Sequence, residues 1–456
     1  MSLTAAPATS RATRMRAWSR RHWVGLLLVL VSLVYGGAVT ILHEDTLSPI
    51  DEVVYMDYTY KVWDQGIVHR GEQFGPDVAH LVACAKVLPF GDLGQTCGSS
   101  VVNYGGLPNN GYTTGEGYTP LYFWTVRLVG DPIHAVTGLS EPTSWRLSGT
   151  VWLAFTMIVL VGLLRRFQIP SPVILTLGLL FIGSPYVWWT YTYISTDASV
   201  VVFGAGLLLA TVQARSGRWS AWWLLPLGIL APLFKITNLI AFGLVVLYVV
   251  IDECARRFAK SRSAREERST LRGFWLPLGL SALLAAALQF AWLRLVPLLA
   301  VSDHIVDQGV ATRLTAVEVL RLTTVGVNGA ITHNPFASRS SSELVGLVFL
   351  PLSWLMIAFV LGALMSVPWS RDRGPLVWAT GVACVLALPA LGVIMTVSAG
   401  VYFPLPGRYA AAIIPAILLL GGIMLRNRIV TVVVAAYAGL LMVAGIVLAV
   451  HIGATY

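Results

Sequence analysis

The chain is 456 residues long, 56% hydrophobic and only 12% charged, with 16 Trp and a mean hydropathy of +0.73. A soluble protein carries roughly 25% charged residues, so water is not its main solvent and no large soluble catalytic domain is left over. The net charge of +9 does not point to nucleic acid: Lys and Arg gather at alternate loops, as on the cytoplasmic side of membrane proteins, and no face interleaves basic with aromatic residues.

The first 22 residues carry Arg11, Arg14, Arg16, Arg20 and Arg21 without an acid and read as a cytoplasmic basic N-terminus; 23–456 reads as one polytopic membrane domain. The apolar run from about 23 to 42 is longer than a signal-peptide core and no small-x-small cleavage site follows it, so it is expected to remain as the first span. It runs outward and delivers residues 43–145 to the far side, a loop with 12 acidic and 4 basic residues, a net of −8. Span 2 (about 146 to 164) returns to Arg165 and Arg166. Span 3 (about 170 to 187) goes out to Tyr186, Trp188, Trp189, Tyr191 and Tyr193, which read as an interfacial aromatic belt. Span 4 starts near Asp197 and returns to Arg215 and Arg218.

Spans 5 (219 to 234) and 6 (237 to 252) are short and joined at Lys235, and a cytoplasmic loop with seven basic and four acidic residues follows over 252–272. Span 7 (273 to 299) leads to a polar outer loop, 301–342, which ends in the Ser-rich patch Ser338 to Ser342. Spans 8 (343 to 367) and 9 (375 to 398) flank Arg371 and Arg373, and an outer turn runs from Tyr402 to Tyr409. Span 10 (409 to 425) returns to Arg426 and Arg428, and span 11 (429 to 450) ends outside. Every inferred inner loop is basic. The expectation is an all-α protein of about eleven transmembrane helices, multi-pass in the plasma membrane, with a large first extracytoplasmic loop carrying amphipathic interfacial helices. No inverted repeat of the transporter kind is evident.

Chemistry-bearing residues concentrate in the outer segments. Asp51 and Glu52 precede Tyr55, Tyr58, Tyr60 and Trp63 at helical spacing, which predicts a helix along the membrane surface with the acids at its start. Such a carboxylate can accept a proton from a hydroxyl, or serve only as an N-cap or first-turn acid. Cys84 and Cys97 lie in one outer segment and are a candidate disulfide, their separation in space being beyond what sequence gives. His69, His80, His304 and His333 show no metal-ligand spacing, so neither a metal nor a cofactor is expected. The Gly-rich run from Gly105 to Gly117 lacks a preceding strand and a phosphate-loop Lys, and reads as a flexible substrate loop.

Several segments, taken in order, resemble one family. Asp51-Glu52-x-x-Tyr55 with Gly66 beyond it is similar to the first-loop motif of the C-class (GT-C) glycosyltransferase superfamily of polytopic membrane enzymes, which includes protein O-mannosyltransferases and the aminoarabinose transferases of lipid A. Tyr118-Thr119-Pro120-Leu121-Tyr122-Phe123-Trp124 resembles the Pro-Pro-Leu-Tyr-Phe-Trp stretch before their second helix, with Thr119 for the first Pro. Trp145-Arg146-Leu147-Ser148 is similar to the opening of that helix. Ser184-Pro185 through Tyr193 to Asp197-Ala198, Lys235 between paired short helices, and Gly407-Arg408-Tyr409 with Pro415 complete the set.

The resemblance implies an inverting transfer of a sugar from a polyprenyl-phosphate donor to an acceptor hydroxyl on the extracytoplasmic face, the acceptor being a cell-envelope glycan, lipid or protein. Asp51 matches the general base, with Glu52 beside it. Lys235 and Arg408 are the expected cations for the leaving phosphate, against plain readings as a snorkelling lysine and an interfacial anchor. Asp197, Glu116, Tyr55 and Tyr409 are the expected substrate contacts, with structural readings equally open for Asp197 and Glu116. The competing class is a transporter or flippase of a lipid-linked glycan, which calls for charges at the midplane of broken helices.

Overall fold

The computed structural model describes residues 11–455 apart from 44, 50, 89, 259–262, 305, 307–310, 333–342 and 369–372. His333 and the Ser338 to Ser342 patch lie outside the described residues, as do the side chains of the N-terminal arginines. The described chain is mostly helical, and the only β pairings among the described residues are isolated bridges.

α1 (Arg11–Leu42) is the first membrane helix and begins well before the apolar run. α2 (Glu52–Lys61), α3 (Pro76–Ala85) and α4 (Leu121–Thr137) follow in the first loop. α5 (Glu141–Arg166) opens at Ser140, whose hydroxyl accepts from the Thr143 N–H, with Pro142 in the first turn where a missing N–H costs nothing. α6 (Ser171–Ile182) and α7 (Pro185–Tyr191) meet at a 61° bend. There Ser184 caps α7 ahead of Pro185.

α8 (Val200–Arg215) continues a 3-10 turn, Thr196–Ser199; α9 (Leu224–Phe234) and α10 (Leu239–Phe258) are separated by an extended residue, Lys235. α11 (Ser263–Leu298), α12 (Ala316–Thr332), α13 (Glu343–Ser366) and α14 (Gly374–Ala399) come next. The 3-10 turn Gly407–Ile413 runs into α15 (Ile414–Met424), and α16 (Arg428–Thr455) closes the bundle.

Nine helices among the described residues are long and apolar enough to cross a membrane. The bent α6–α7 pair and the shorter apolar Ala221–Phe234 supply a helix for each remaining expected span. The chain is an all-α, multi-pass membrane protein.

Three features depart from the sequence reading. The aromatics from Tyr186 to Tyr193 are not a belt but core, all 3% exposed or less, with the Trp188 indole donating to the Gly445 carbonyl at 2.9 Å. α2 is enclosed by α3 and α4, with seven of its ten residues buried. The interfacial character belongs to α4 instead, which leaves Trp124, Leu128 and Val136 exposed. The expected polar loop 301–342 contains α12, packed on α13, α14 and the Gly407–Ile413 turn, with Leu322 and Ile331 buried.

The segments 43–145 and 301–342 meet. The Val301 N–H donates to the Arg70 carbonyl, Ser302 Oγ donates to the Gly71 carbonyl, and the Trp292 indole donates to the Gly117 carbonyl. A bridge between Thr312 and Tyr402 then ties the second loop to the turn that carries Arg408.

Candidate functional site

Asp51 occupies the N-cap position of α2 in the left-handed conformation, φ 58° and ψ 3°, and its side chain makes no capping bond. That geometry costs a residue with a Cβ about 1 kcal/mol, and it turns the carboxylate away from the helix terminus. Asp51 Oδ2 lies 2.8 Å from Arg408 Nη2.

Arg408 continues the chain of charges inward. Its Nε is 3.2 Å from Asp197 Oδ2, and Lys235 Nζ is 2.6 Å from Asp197 Oδ1. Exposure drops inward, from 43% for the Asp51 side chain to 13% for Arg408, 1% for Asp197 and 4% for Lys235. The Tyr409 ring lies 5.6 Å from Lys235 Nζ and 5.8 Å from the Arg408 guanidinium carbon, close enough for its face to offset part of the cations' lost hydration. Lys235, Arg408, Asp197, Asp51 and Tyr409, from four distant segments, therefore form one constellation.

The local folds explain the convergence. Lys235 is held at the α9–α10 break, where the Asn238 side-chain amide donates to the Ala231 carbonyl at 2.9 Å and Thr119 Oγ1 donates to the Leu233 carbonyl. Asp197 sits in the 3-10 turn before α8, and its carbonyl accepts from Tyr186 Oη at 3.0 Å. Gly204 on α8 admits the Gly407–Ile413 turn, since a Cβ there would collide with the Ala412 carbonyl oxygen. This close approach brings Arg408 to Asp197.

Tyr55 lines the same side, its hydroxyl donating to Tyr118 Oη at 3.2 Å and accepting from Thr196 Oγ1 at 3.4 Å. Burial, reinforced by neighbouring phenol and carboxylate groups, pushes both phenols well above their ordinary range, so they stay protonated donors.

Glu52 is a correction. Its side chain is 0% exposed and points away from Asp51, pairing with Arg146 Nε at 2.9 Å and Nη2 at 3.0 Å. The same carboxylate accepts from the Ser48 N–H at 2.8 Å and the Ile194 N–H at 3.0 Å. A carboxylate so fully engaged has no lone pair aimed at a substrate; it fixes the Asp51 turn against α5 and the segment before Asp197. Arg146 further donates to the Thr46 carbonyl and stacks over Tyr193. It anchors the site and was visible in the sequence only as part of a motif.

Glu116 lies apart from these ion pairs, in the turn Gly115–Gly117; burial pushes its carboxyl above the ordinary range, and Arg70 is the charge that acts on it. Cys84 and Cys97 form a disulfide. His69 bonds the Leu299 carbonyl, His80 the Ser99 carbonyl, and His304 stacks on Tyr112, so these three imidazoles serve separate contacts.

Sequence reasoning also missed the support behind Arg408. Glu318 on α12 pairs with Arg321 at 2.6 Å and accepts from Tyr402 Oη at 2.6 Å, while Arg321 donates to the Leu405 carbonyl. The apolar spacing Val319, Leu322, Val325 was the available signal for that helix.

Beside Lys235 an apolar groove of about 340 Å³ runs between α10 and α14. Ile236, Thr237 and Ile240 form its near end and Leu247 its far end, with Ala387 and Leu391 on the facing helix.

No protein-family model matches this chain, and no curated protein matches it.

Proposed function

We propose that this protein is an inverting, C-class glycosyltransferase that moves a sugar from a polyprenyl-phosphate donor to an acceptor hydroxyl at the extracytoplasmic face of the plasma membrane. One observation carries the reading: an exposed carboxylate, Asp51, is joined through Arg408 and Asp197 to a buried cation, Lys235, beside an apolar groove between two membrane helices. A donor of this class has those three needs. Its isoprenoid chain takes the α10–α14 groove, its phosphate meets Lys235 and Arg408, and its sugar lies toward Asp51.

In the mechanism, Asp51 Oδ1, which has no protein hydrogen bond among the described residues, receives the acceptor proton as the hydroxyl oxygen attacks the anomeric carbon. The glycosidic C–O bond to phosphate breaks on the opposite face, and its electrons remain on the phosphate. Arg408 and Lys235 meet that charge where it develops. Asp197 holds both cations in place before the donor arrives. Glu116 and Tyr409 complete the proposed substrate contacts, and the acceptor is bound where the 43–145 and 301–342 loops meet.

The bend between α6 and α7 and the break at Lys235 are what a transporter of lipid-linked glycans would use. The exposed Asp51, on a helix outside the membrane spans, favours the enzyme.

The test is release of free polyprenyl phosphate by purified protein given a series of polyprenyl-phosphate sugars and an acceptor pool. Asp51→Asn should lower turnover by at least about 100-fold with donor binding nearly unchanged. Lys235→Ala and Arg408→Ala should weaken donor binding and turnover together. Full turnover in Asp51→Asn removes the general base; translocation of intact donor across a vesicle without release establishes the transporter instead.

A further inference from the structure

At the other end of α5 and α15 from the Asp51 constellation, about 25 Å away by helix rise, lies a second cavity of about 730 Å³. Arg373, Arg426 and Arg428 line it together with Ile169, Val173 and Val432. No acidic side chain lines it among the described residues.

Three cations gathered in one concavity with no counter-charge among the described residues repel one another, an arrangement that an anion relieves. The guanidiniums are only partly engaged by protein. Arg373 donates to the Phe167 carbonyl at 3.5 Å and Arg426 to the Ile423 carbonyl at 3.3 Å, while Arg428 has no side-chain partner among the described residues. α6, α14 and α16 all begin at this end, so the positive ends of three helix dipoles face the same region. Asn427 Oδ1 already accepts from the Ile429 and Val430 N–H groups, and the three arginines supply the greater part of the field.

The walls decide which anion. Ile169, Val173 and Val432 line the cavity below the arginines, and Ile429, Val430 and Val433 continue an exposed apolar face along the start of α16. A free phosphate has no use for such a wall, whereas an acyl chain does. The volume falls within the roughly 300–1,000 Å³ of small-molecule sites.

We infer that this cavity binds the phosphate headgroup of an anionic membrane phospholipid, with its acyl chains along α16. The site is independent of the sugar-transfer reading, and basic pockets between membrane helices at the cytoplasmic side hold such headgroups in general.

The experiment is native mass spectrometry of the delipidated full-length protein in neutral detergent, titrated with phosphatidylglycerol or with phosphatidylcholine of matched acyl chains. Phosphatidylglycerol should be retained with a preference on the order of 100-fold, from roughly fivefold per arginine. The triple variant R373Q/R426Q/R428Q should lose that preference. Arg428→Gln alone, which removes no hydrogen bond or ion pair among the described residues, should cost about fivefold and covers the case of a misfolded triple variant. Millimolar inorganic phosphate should not displace the lipid. Equal retention of the two lipids, an Arg428→Gln protein indistinguishable from the parent, or displacement by inorganic phosphate would each overturn the assignment.

Discussion

The Arg408 guanidinium lies 2.8 Å from the Asp51 carboxylate, joining residues 357 positions apart. With the Asp51 side chain 43% exposed, this is the solvent end of the charge chain, and open ion pairs contribute only about 0–1 kcal/mol. Asp51→Asn should therefore melt within about 1 kcal/mol of the parent protein. A thermal shift as large as that of Asp197→Ala would make Asp51 a structural residue.

Asp197 is the buried centre, shared by Lys235 and Arg408. Removing it leaves buried Lys235 without a counter-charge and Arg408 with only the exposed Asp51 carboxylate, which should destabilise the protein by about 3–5 kcal/mol. Lys235→Met should cost less, because Arg408 still serves the carboxylate and the Met chain fills the lysine's volume. Melting temperatures in detergent should rank Asp197→Ala below Lys235→Met; the reverse order would mean the lysine is the indispensable member.

Glu52→Gln should damage the fold rather than the chemistry. The amide keeps the shape but leaves Arg146 buried without its charge partner, again on the scale of about 3 kcal/mol. The double variant Glu52→Leu with Arg146→Met should recover part of that loss. Size-exclusion profiles and melting curves of the parent, the Glu52→Leu and Arg146→Met single variants and the double variant measure the coupling, and additive losses would deny it.

The Cys84–Cys97 disulfide closes a short loop, the two residues being 13 apart in sequence. In the chain-entropy model such a closure is worth about 3 kcal/mol. Cys84→Ser with Cys97→Ser should sharply increase protease cleavage between 86 and 103, and peptide mapping without reductant should recover the joined pair from the parent protein. Two free thiols in the parent would refute it.

Asp57 supplies a pH dependence outside the membrane spans. Burial pushes its carboxyl up to about 6, against the pull of Lys61 and the Gly75 N–H. A folded-state value above the unfolded 3.8 means the contribution to stability is fully present below about 3.8 and is lost as pH rises through about 6. Glu72 works in the opposite sense: although burial raises it, Lys61, the His69 N–H and Gln65 outweigh that and hold it low, so its contribution fails only as pH falls below the ordinary glutamate range. Between pH 7 and 5 Asp57 dominates. Hydrogen-exchange protection of α2 and α3, corrected for intrinsic rates, should rise by about 1 kcal/mol over that interval, and Asp57→Asn should abolish the rise.

Much of the architecture was legible in the chain because lipid imposes one rule on every span: about 20 apolar residues, closed into a helix that satisfies its own backbone. The run from 23 to 42, the basic turns at Arg165 and Arg426, and the short pair either side of Lys235 all follow from it. The same rule hid α12, whose Glu318, Arg321 and several threonines make it too polar to register as a span although it packs as a helix. It also turned the aromatics around Trp188 into a belt, because composition locates a ring near a helix end without saying whether lipid or protein surrounds it.

The candidate site divides in the same way. Asp51 stood out as an acid opening the amphipathic stretch Tyr55 to Trp63, and Lys235 and Arg408 because an ionisable residue at a membrane helix end is costly and needs a reason. Which of two adjacent acids faces the cluster was decided by backbone geometry: the left-handed turn at Asp51 sends its carboxylate to Arg408, and the next residue, Glu52, points inward to Arg146. The pairing of residues hundreds of positions apart depends on how the helices pack, as the approach of the Arg408 turn at Gly204 does. Residue types and apolar spacing determined that charges would lie at the ends of these helices; only tertiary structure decided their partners, because an ion pair forms over a few ångströms of space and sequence carries no measure of that distance.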